Sequence, residues 1–384
     1  MKKYIIIAVS ALVAMCACTK NEVSVPSHEI TFQTVNYVGQ TKALEGSEFT
    51  YTDFGVFAWS KASAGKYYMD NELVTKQGGE WKAQGTYYWP KDANVDFISY
   101  YPQEKVGSYV TIDETKISYK DFNAAEKQVD LLYADKVVGY GYADNADGSG
   151  VIDGVNTYKT VPAFFRHALA QLTMQAKLAY EAKTNYLEDG KTVKDSYRWE
   201  IEITDAKLTG VNTVGSLDLT LSGTENPELA KTYPWIKPAN ELWTSGTPAT
   251  VSLGKGALGT DGSKCVLLNA YYVIPQAVSA QTVELTFNIK TYRGVGSAEP
   301  SLFLNEVGVK RTAKLALPDL PAWKINQATT YVFVIAPTAG SGEDPEDPDK
   351  PIDPDDPNLK DVEITFDPAV KGWDITTVGA TIKL

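Results

Sequence analysis

The sequence predicts a mostly β-sheet protein, with sandwich-like sheets and few short helices. Apolar and polar residues alternate without a break over residues 283–290 and again over residues 168–178, which indicates strands with one buried face. Residues 54–59 are apolar on both parities, so we expect a strand that is buried on both sides. Turn pairs such as Gly78-Gly79 and Asp153-Gly154 recur at short intervals, and this spacing is typical of stacked sheets.

Composition and charge limit the size of the fold and the kinds of partner that the chain can have. The chain has 384 residues, 43% of them hydrophobic, which is enough for two domains with hydrophobic cores. Short helices are favoured only at residues 123–135 and 227–231. The formal charge is -12, and it becomes -14 when Lys2 and Lys3 are removed with the leader. So negative a chain repels a polyanion, which argues against nucleic acid as a partner.

The N-terminus carries the features of an export signal. Lys2 and Lys3 precede an apolar run that is too short to span a membrane as a helix. The small residue Ala17 before Cys18 resembles the cut site of bacterial lipoproteins, whereas Met15 before Cys16 does not fit it. We therefore predict a signal peptide at residues 1–17 and a lipid on Cys18. A plain secretory signal with incidental cysteines is the alternative.

The sequence contains no catalytic constellation, so we expect no enzyme activity, no cofactor and no metal site. Cys265 is the only thiol after the leader, and its apolar neighbours predict a buried structural cysteine. His167 is expected to be a packed or hydrogen-bonded side chain between the domains. Residues 145–153 have the spacing of part of a calcium loop, but they begin with Asn145 and lack the closing glutamate, so we interpret them as a solvated turn.

The C-terminal part combines a linker and strand-forming sequence. Residues 338–357 are acidic and rich in proline, which predicts an extended, self-repelling linker. Residues 358–384 return to alternating sequence, and a lone strand of this kind is unstable in water, so it must pair in cis or on another molecule. The alternating apolar residues of this extension are Val362, Ile364, Phe366, Val378, Ala380, Ile382 and Leu384.

An ordered series of short motifs resembles the fimbrillin family of Bacteroidetes, the pilin-like lipoproteins of type V pili and their Mfa-like relatives. The series spans about Ile30 to Pro337, and its members are Asp53-Phe54-Gly55-Val56-Phe57-Ala58-Trp59, Tyr87-Tyr88-Trp89-Pro90, Asp130-Leu131-Leu132-Tyr133-Ala134, Phe165-Arg166-His167-Ala168, Val273-Ile274-Pro275-Gln276 and Tyr331-Val332-Phe333-Val334. The resemblance implies two tandem β-sandwich domains of transthyretin-like type, at residues 18–158 and 159–337, with the boundary near Lys159.

The resemblance also implies an assembly mechanism. Stalk subunits of the family are cut by a trypsin-like protease near the N-terminus, which releases the first strand and opens a groove that a C-terminal strand of the next subunit fills. Residues 30–33 are the candidate first strand here, and the bond between Lys42 and Ala43 is the candidate cleavage point. Residues 358–384 are the candidate donor strand. Alternatively, the linker lets this strand fold back onto its own domain.

These observations predict a structural or accessory subunit of a cell-surface pilus that contributes to adhesion. The expected partners are other fimbrillin subunits, in a homo- or heteropolymer, and a ligand on a host or bacterial surface. A lipid on Cys18 would hold the precursor in the outer membrane until processing. The alternative is a monomeric surface lipoprotein whose exposed Tyr87, Tyr88 and Trp89 stack on glycan, whereas core packing of these rings would fit the family pattern.

Overall fold

The structure is a computed structural model. It describes residues 30–36, 49–60, 66–89, 94–104, 108–140, 150–152, 155–157, 160–221, 235–236, 242–246, 248–261, 264–316, 320–337 and 363–366.

Within these residues the chain is built almost wholly of β-strands. The strands of the first half are β1 Thr31–Asn36, β2 Asp53–Ser60, β3 Tyr67–Gln77, β4 Glu80–Ala83, β5 Val95–Tyr101, β6 Val110–Asp113, β7 Lys116–Asn123, β8 Leu132–Ala134, β9 Lys136–Tyr140, β10 Gly150–Ile152, β11 Val155–Thr157, β12 Thr160–His167, β13 Ala170–Leu178 and β14 Ala182–Tyr186. Those of the second half are β15 Val193–Asn212, β16 Val214–Thr220, β17 Trp235–Ile236, β18 Trp243–Ser245, β19 Pro248–Ser252, β20 Gly256–Ala257, β21 Cys265–Val273, β22 Gln276–Ala277, β23 Thr282–Val295, β24 Ser301–Lys314, β25 Ala322–Trp323, β26 Ala328–Ala336 and β27 Glu363–Phe366.

The mostly-β prediction is confirmed, and so are its three strand patterns. Strand β13 alternates between buried and half-buried residues along its whole length, and β23 does the same over residues 282–289. In β2 every residue from Phe54 to Ser60 is buried, as expected of a strand that is covered on both faces. Gly78 and Gly79 both have positive φ and form the two-residue turn between β3 and β4.

The predicted helix at residues 123–135 is wrong beyond its first turn. Helix α1 covers only Ala124–Lys127, with the Asn123 side chain capping its start, and Gln128 ends it in the left-handed conformation. The Gln128 amide donates to the carbonyl oxygens of Ala124 at 2.6 Å and of Tyr272 at 3.1 Å. The first bond closes the end of the helix and the second ties it to β21, so the helix stops here and the chain continues as β8. The second predicted helix, at residues 227–231, lies outside the described residues. No helix of the described part is long and apolar enough to cross a membrane.

The largest sheet of the described structure has nine strands and closes on itself. Its order is β17-β9-β5-β2-β3-β4-β1-β12-β8, and β8 also pairs with β5. Seven strands, from β5 round to β8, therefore form a ring. The interior of this barrel is filled by apolar side chains, with Phe32, Phe54, Phe97 and Trp81 among the largest.

A four-stranded sheet, in the order β18-β16-β7-β6, covers the outer face of the barrel. Phe57, Trp59 and Tyr100 of the barrel pack there against Tyr119 and Trp243 of the covering sheet in a second core. Alternate residues of β2 point into the barrel interior, and the residues between them point into this second core. Strand β2 is therefore buried on both faces.

The third core lies between two further sheets. One has the order β21-β13-β26-β27, and the other consists of β14-β15-β23-β24 with β19 and β20 added beside β15. The alternating apolar residues of β13, β23 and β26 meet between the two sheets, together with Trp199 and Trp323. This part of the chain is a β-sandwich, which agrees with the predicted sheet-on-sheet packing.

Strand pairing crosses the boundary that we predict near Lys159. Strand β12 follows this position and pairs along the whole of β1, while β16 pairs with β7 and β17 pairs with β9. A division at this position would therefore separate strands that share a sheet. The tandem arrangement of two sandwiches, at residues 18–158 and 159–337, stays a prediction.

Two buried ion pairs tie the barrel together. The Arg166 guanidinium of β12 donates from Nε to Asp135 Oδ1 at 3.0 Å and from Nη2 to Asp135 Oδ2 at 3.2 Å. The Lys136 ammonium lies 3.2 Å from Asp96 Oδ2, and all four side chains are buried. The bidentate geometry lets the Arg166–Asp135 pair offset much of the desolvation cost that burial imposes on charges.

We expect the Arg166→Met variant to lose about 3–5 kcal/mol in free energy of unfolding, because it leaves the Asp135 carboxylate buried without its cation. Urea denaturation followed by circular dichroism measures this loss. Lys116→Met is the matched control, since Lys116 pairs with Asp218 at the surface, 3.7 Å away, where such pairs contribute about 0–1 kcal/mol. Equal losses in both variants would contradict the assignment.

Stability should also fall at alkaline pH. Burial raises the pKa of Tyr100 and of Tyr272 to about 12, above the ordinary tyrosine value of about 10. The folded state thus keeps protons that the unfolded state releases, so this contribution is full below about pH 10 and is lost as the pH rises through about 12. We expect urea midpoints to fall over this window, with a shallower slope in Tyr100→Phe. An unchanged slope in that variant would contradict the assignment.

Candidate strand-exchange site

The predicted first strand occupies an interior position in the closed barrel. Strand β1 lies between β4, with which it runs antiparallel, and β12, with which it runs parallel. Thr31 lies opposite Lys82 on one side and Thr160 on the other, and Phe32 lies opposite Trp81 and Val161. The Ile30 amide adds a hydrogen bond to the Tyr87 carbonyl oxygen at 2.9 Å. Removal of β1 would leave two strands with unpaired edges and a groove between them.

Two side chains hold β1 in the barrel interior. Ile30 is 1% exposed and Phe32 is 2% exposed. The Phe32 ring meets the rings of Phe54 and Phe97 edge to face, with centroids 5.9 Å and 6.1 Å apart. Burying two such side chains stabilises β1 by roughly 3–6 kcal/mol in addition to its backbone hydrogen bonds. The groove is therefore shaped by apolar, largely aromatic walls.

The chain is anchored again shortly after the candidate cleavage point. Lys42 and Ala43 lie outside the described residues. Phe49, six residues further on, is buried against Phe165 at a centroid distance of 4.8 Å, and the Tyr51 hydroxyl donates to Asp130 Oδ2 at 2.6 Å. A cut after Lys42 would thus separate β1 from a segment that is itself fixed to the barrel.

Part of the predicted donor strand is described, and it pairs in cis. Strand β27 contains Ile364 and Phe366 and runs antiparallel to the end of β26. It is the terminal strand of its sheet and so has a neighbour on one side only in the described structure. The other candidate donor residues and the lipidation candidate lie outside the described residues, and they are Cys18, Val362, Val378, Ala380, Ile382 and Leu384.

The three consecutive aromatic residues do not form one exposed platform. Tyr88 is 55% exposed, whereas Tyr87 and Trp89 are half-buried and pack against the barrel core. The Tyr87 hydroxyl donates to Glu72 Oε1 at 2.6 Å, and burial together with this bond raises the Tyr87 pKa to about 12. The Trp89 ring meets Phe97 edge to face, with centroids 5.8 Å apart. Two of the three rings therefore serve the core.

The histidine predicted to be structural is held by a buried carboxylate. His167 Nδ1 lies 2.7 Å from Asp130 Oδ2, which also accepts the Tyr51 hydroxyl bond, and the His167 amide donates to Asn326 Oδ1 at 3.3 Å. Burial first, and then Asp130, raises the Tyr51 pKa above the usual range. In the sequence, Asp130 stands out only as part of a family motif. Its neighbours along the chain give no sign that His167 and Tyr51 converge on it.

The remaining candidates show no reactive environment. Cys265 is buried, as predicted, and burial raises the pKa of its thiol, which disfavours the nucleophilic thiolate. Among the described residues no group of three or more His, Cys, Asp or Glu side chains could hold a metal ion. The calcium-like spacing at residues 145–153 lies mostly outside the described residues.

Comparison with known proteins identifies the family. The model of the fimbrillin-like family matches residues 41–331. A search of curated proteins finds no match. Among solved structures, a fimbrial protein from Bacteroides vulgatus is 16% identical, with 89% of this chain and 99% of that chain covered and a TM-score of 0.45. A protein assigned to cell adhesion from Bacteroides uniformis is also 16% identical, with 82% of this chain and 95% of that chain covered and a TM-score of 0.43.

Structural similarity at this level carries no argument about what the chain does. The family match, in contrast, extends over well more than half of the chain and over both the barrel and the sandwich. It confirms the resemblance that the ordered sequence motifs indicate. The chain belongs to the fimbrillin-like family.

Proposed function

We propose that this protein is a structural or accessory subunit of a cell-surface pilus, assembled by protease-triggered strand exchange and contributing to adhesion. Family membership supports the role in a pilus. The observation that carries the mechanism is the position of β1, which is paired on both sides inside a closed barrel and is joined to the anchored Phe49 through the segment that contains Lys42.

The chemistry of the exchange follows from this geometry. A cut between Lys42 and Ala43 makes β1 a separate peptide that is held only by noncovalent contacts. When it leaves, the edges of β4 and β12 offer backbone donors and acceptors, and the interior offers an apolar site. A strand of another subunit satisfies both, since main-chain bonds give affinity and alternate side chains give specificity.

The two ends of the chain supply the remaining parts of the proposal. A lipid on Cys18 holds the precursor in the outer membrane, and the cut after Lys42 releases the protein from it. The extension at residues 358–384 supplies the donor strand, and the linker at residues 338–357 allows it to leave its own sheet. Other fimbrillin subunits are the partners, in a homo- or heteropolymer. A surface ligand contacted by the finished pilus accounts for adhesion.

The glycan-binding alternative has less support. Sugar stacking needs exposed aromatic faces, whereas Tyr87 and Trp89 pack on the core and only Tyr88 is largely exposed. An enzymatic role also has less support, because His167 and Tyr51 are both held by the buried carboxylate of Asp130, an arrangement that serves the fold.

Cleavage at the candidate point can be tested cleanly with an arginine-specific protease. The four arginines of the chain, Arg166, Arg198, Arg293 and Arg311, all lie within strands, where backbone pairing resists proteolysis. We expect Lys42→Arg to be cut at this one site, and the cut protein to form a ladder of SDS-resistant multimers on an unheated gel. N-terminal sequencing should begin at Ala43.

Two controls belong to this experiment. The wild-type chain with Lys42 should remain intact and monomeric under the same protease. The Lys42→Arg chain without residues 358–384 should be cut but should not form the ladder, because it has a groove and no donor. A clean cut that yields monomer alone in the full-length variant would rule out subunit polymerisation.

Loosening the first strand should accelerate the exchange. In the Lys42→Arg background, Phe32→Ala removes the ring between Phe54 and Phe97, and such a truncation weakens packing by about 3–5 kcal/mol. We expect multimers to form at least about tenfold faster after cleavage, which a time course on unheated gels measures. Thr31→Ala is the matched control, since Thr31 is only half-buried and should leave the rate nearly unchanged. Equal rates in the two variants would show that departure of β1 does not limit assembly.

A further inference from the structure

The chain contains the same tetrapeptide at the start of its first strand and in its last described strand. Residues 29–32 read Glu-Ile-Thr-Phe, and residues 363–366 also read Glu-Ile-Thr-Phe. The first copy enters β1, the strand that the proposed exchange removes. The second copy is the whole of β27, the described part of the proposed donor. Identity between these two segments links the strand that leaves with the strand that arrives.

The structure describes the last three positions of the first copy. Ile30 and Phe32 are buried in the barrel, and Thr31 between them is half-buried on the other face. The backbone of Thr31 lies opposite Lys82 of β4 and Thr160 of β12. A strand with isoleucine and phenylalanine two residues apart, entering in the same direction, can therefore restore both the hydrogen bonds and the interior packing.

The second copy pairs along its whole length with β26, and it has apolar residues at two of its four positions. In the cis pairing Ile364 lies opposite Ile335 and Phe366 lies opposite Phe333, and both partners are fully buried residues of β26. This pairing comprises four residue positions on one side only. In the barrel Thr365 and Phe366 would gain neighbours on two sides, as Thr31 and Phe32 have, and Ile364 would take the buried place of Ile30. This favours the groove over the one-sided cis pairing.

We propose that Glu363–Phe366 replaces Glu29–Phe32 in a second copy of this chain, residue for residue, so that Ile364 takes the place of Ile30 and Phe366 takes the place of Phe32. This inference rests on the proposed strand exchange and adds its register and its partner. It makes the protein compatible with itself: each subunit carries at its C-terminus a copy of the sequence that its own barrel accommodates at the N-terminus.

The shape of the groove explains why this register is selected. A slip by one residue turns Glu363 and Thr365 toward the apolar interior. Their polar side chains would lose their hydration there, which is unfavourable. A slip by two residues in one direction places Ile364 between the rings of Phe54 and Phe97, and a slip in the other direction places a residue beyond Phe366 there. Either residue fills this site less well than phenylalanine, so packing is lost. Only the matched register puts a phenylalanine against both rings and leaves Thr365 opposite Lys82.

Disulfide trapping between two different subunits tests the register. The acceptor is the lipid-free chain from Thr19 with Lys42→Arg and Lys82→Cys and without residues 358–384, cut with the arginine-specific protease. The donor is the uncut full-length lipid-free chain with Thr365→Cys. Opposite residues of an antiparallel pair lie about 4.5–5.5 Å apart between Cα atoms, within the range of a disulfide. Cys265 is buried in both partners and does not compete.

We expect a covalent heterodimer under mild oxidation, formed at least about tenfold faster than with Glu363→Cys or Asp367→Cys donors, which share the face but lie two residues away and too far to bridge. The uncut acceptor should not cross-link, since Thr31 still lies opposite Lys82. Faster trapping with either offset donor, or a complex on a native gel that no donor traps, would overturn the register while leaving strand exchange intact. Absence of any complex with all donors would overturn the strand exchange itself.

Discussion

The structure depends on one constraint: a strand inside a closed sheet must satisfy its backbone hydrogen bonds on both sides. Strand β1 meets this requirement for β4 and β12, and without it the ring that β8 and β5 close would have two bare edges. The aromatic interior around Phe32 depends on the same strand, because its ring completes the contact between Phe54 and Phe97. Loss of this strand would therefore cost the barrel both backbone pairing and interior packing.

The proposed acceptor and the proposed donor lie in different parts of the molecule. Strand β1 belongs to the barrel, whereas β27 lies at the edge of the sandwich sheet beyond β26. Contacts between two different surfaces are heterologous, and repeated heterologous contacts produce an open filament rather than a closed dimer. In the proposed exchange, such contacts would form only after β1 has left, and they would link subunits into a filament.

Several residues that would suggest chemistry in isolation serve the fold instead. His167 and Tyr51 meet on the buried Asp130, and the His167 amide connects the barrel to Asn326 of the sandwich part. Arg166 and Asp135 join β12 to the segment between β8 and β9. Tyr87 and Trp89 extend the aromatic core at the barrel end. Polar groups of this kind help to fix the strand order around β1, the strand on which the proposed function rests.

The sequence by itself determined the mostly-β fold, the alternation of β13 and β23, the two-sided burial of β2, the buried Cys265 and the family, because each is written in local periodicity or in a short motif. The tertiary structure decided the rest. The end of α1 at Gln128 depends on a bond to Tyr272, far along the chain, and the closure of the barrel depends on pairing between β8 and β5. The parallel pairing of β1 with β12 is likewise nonlocal. Long-range hydrogen bonds leave no periodicity in the sequence, so the neighbours of β1 could be identified only in the folded chain.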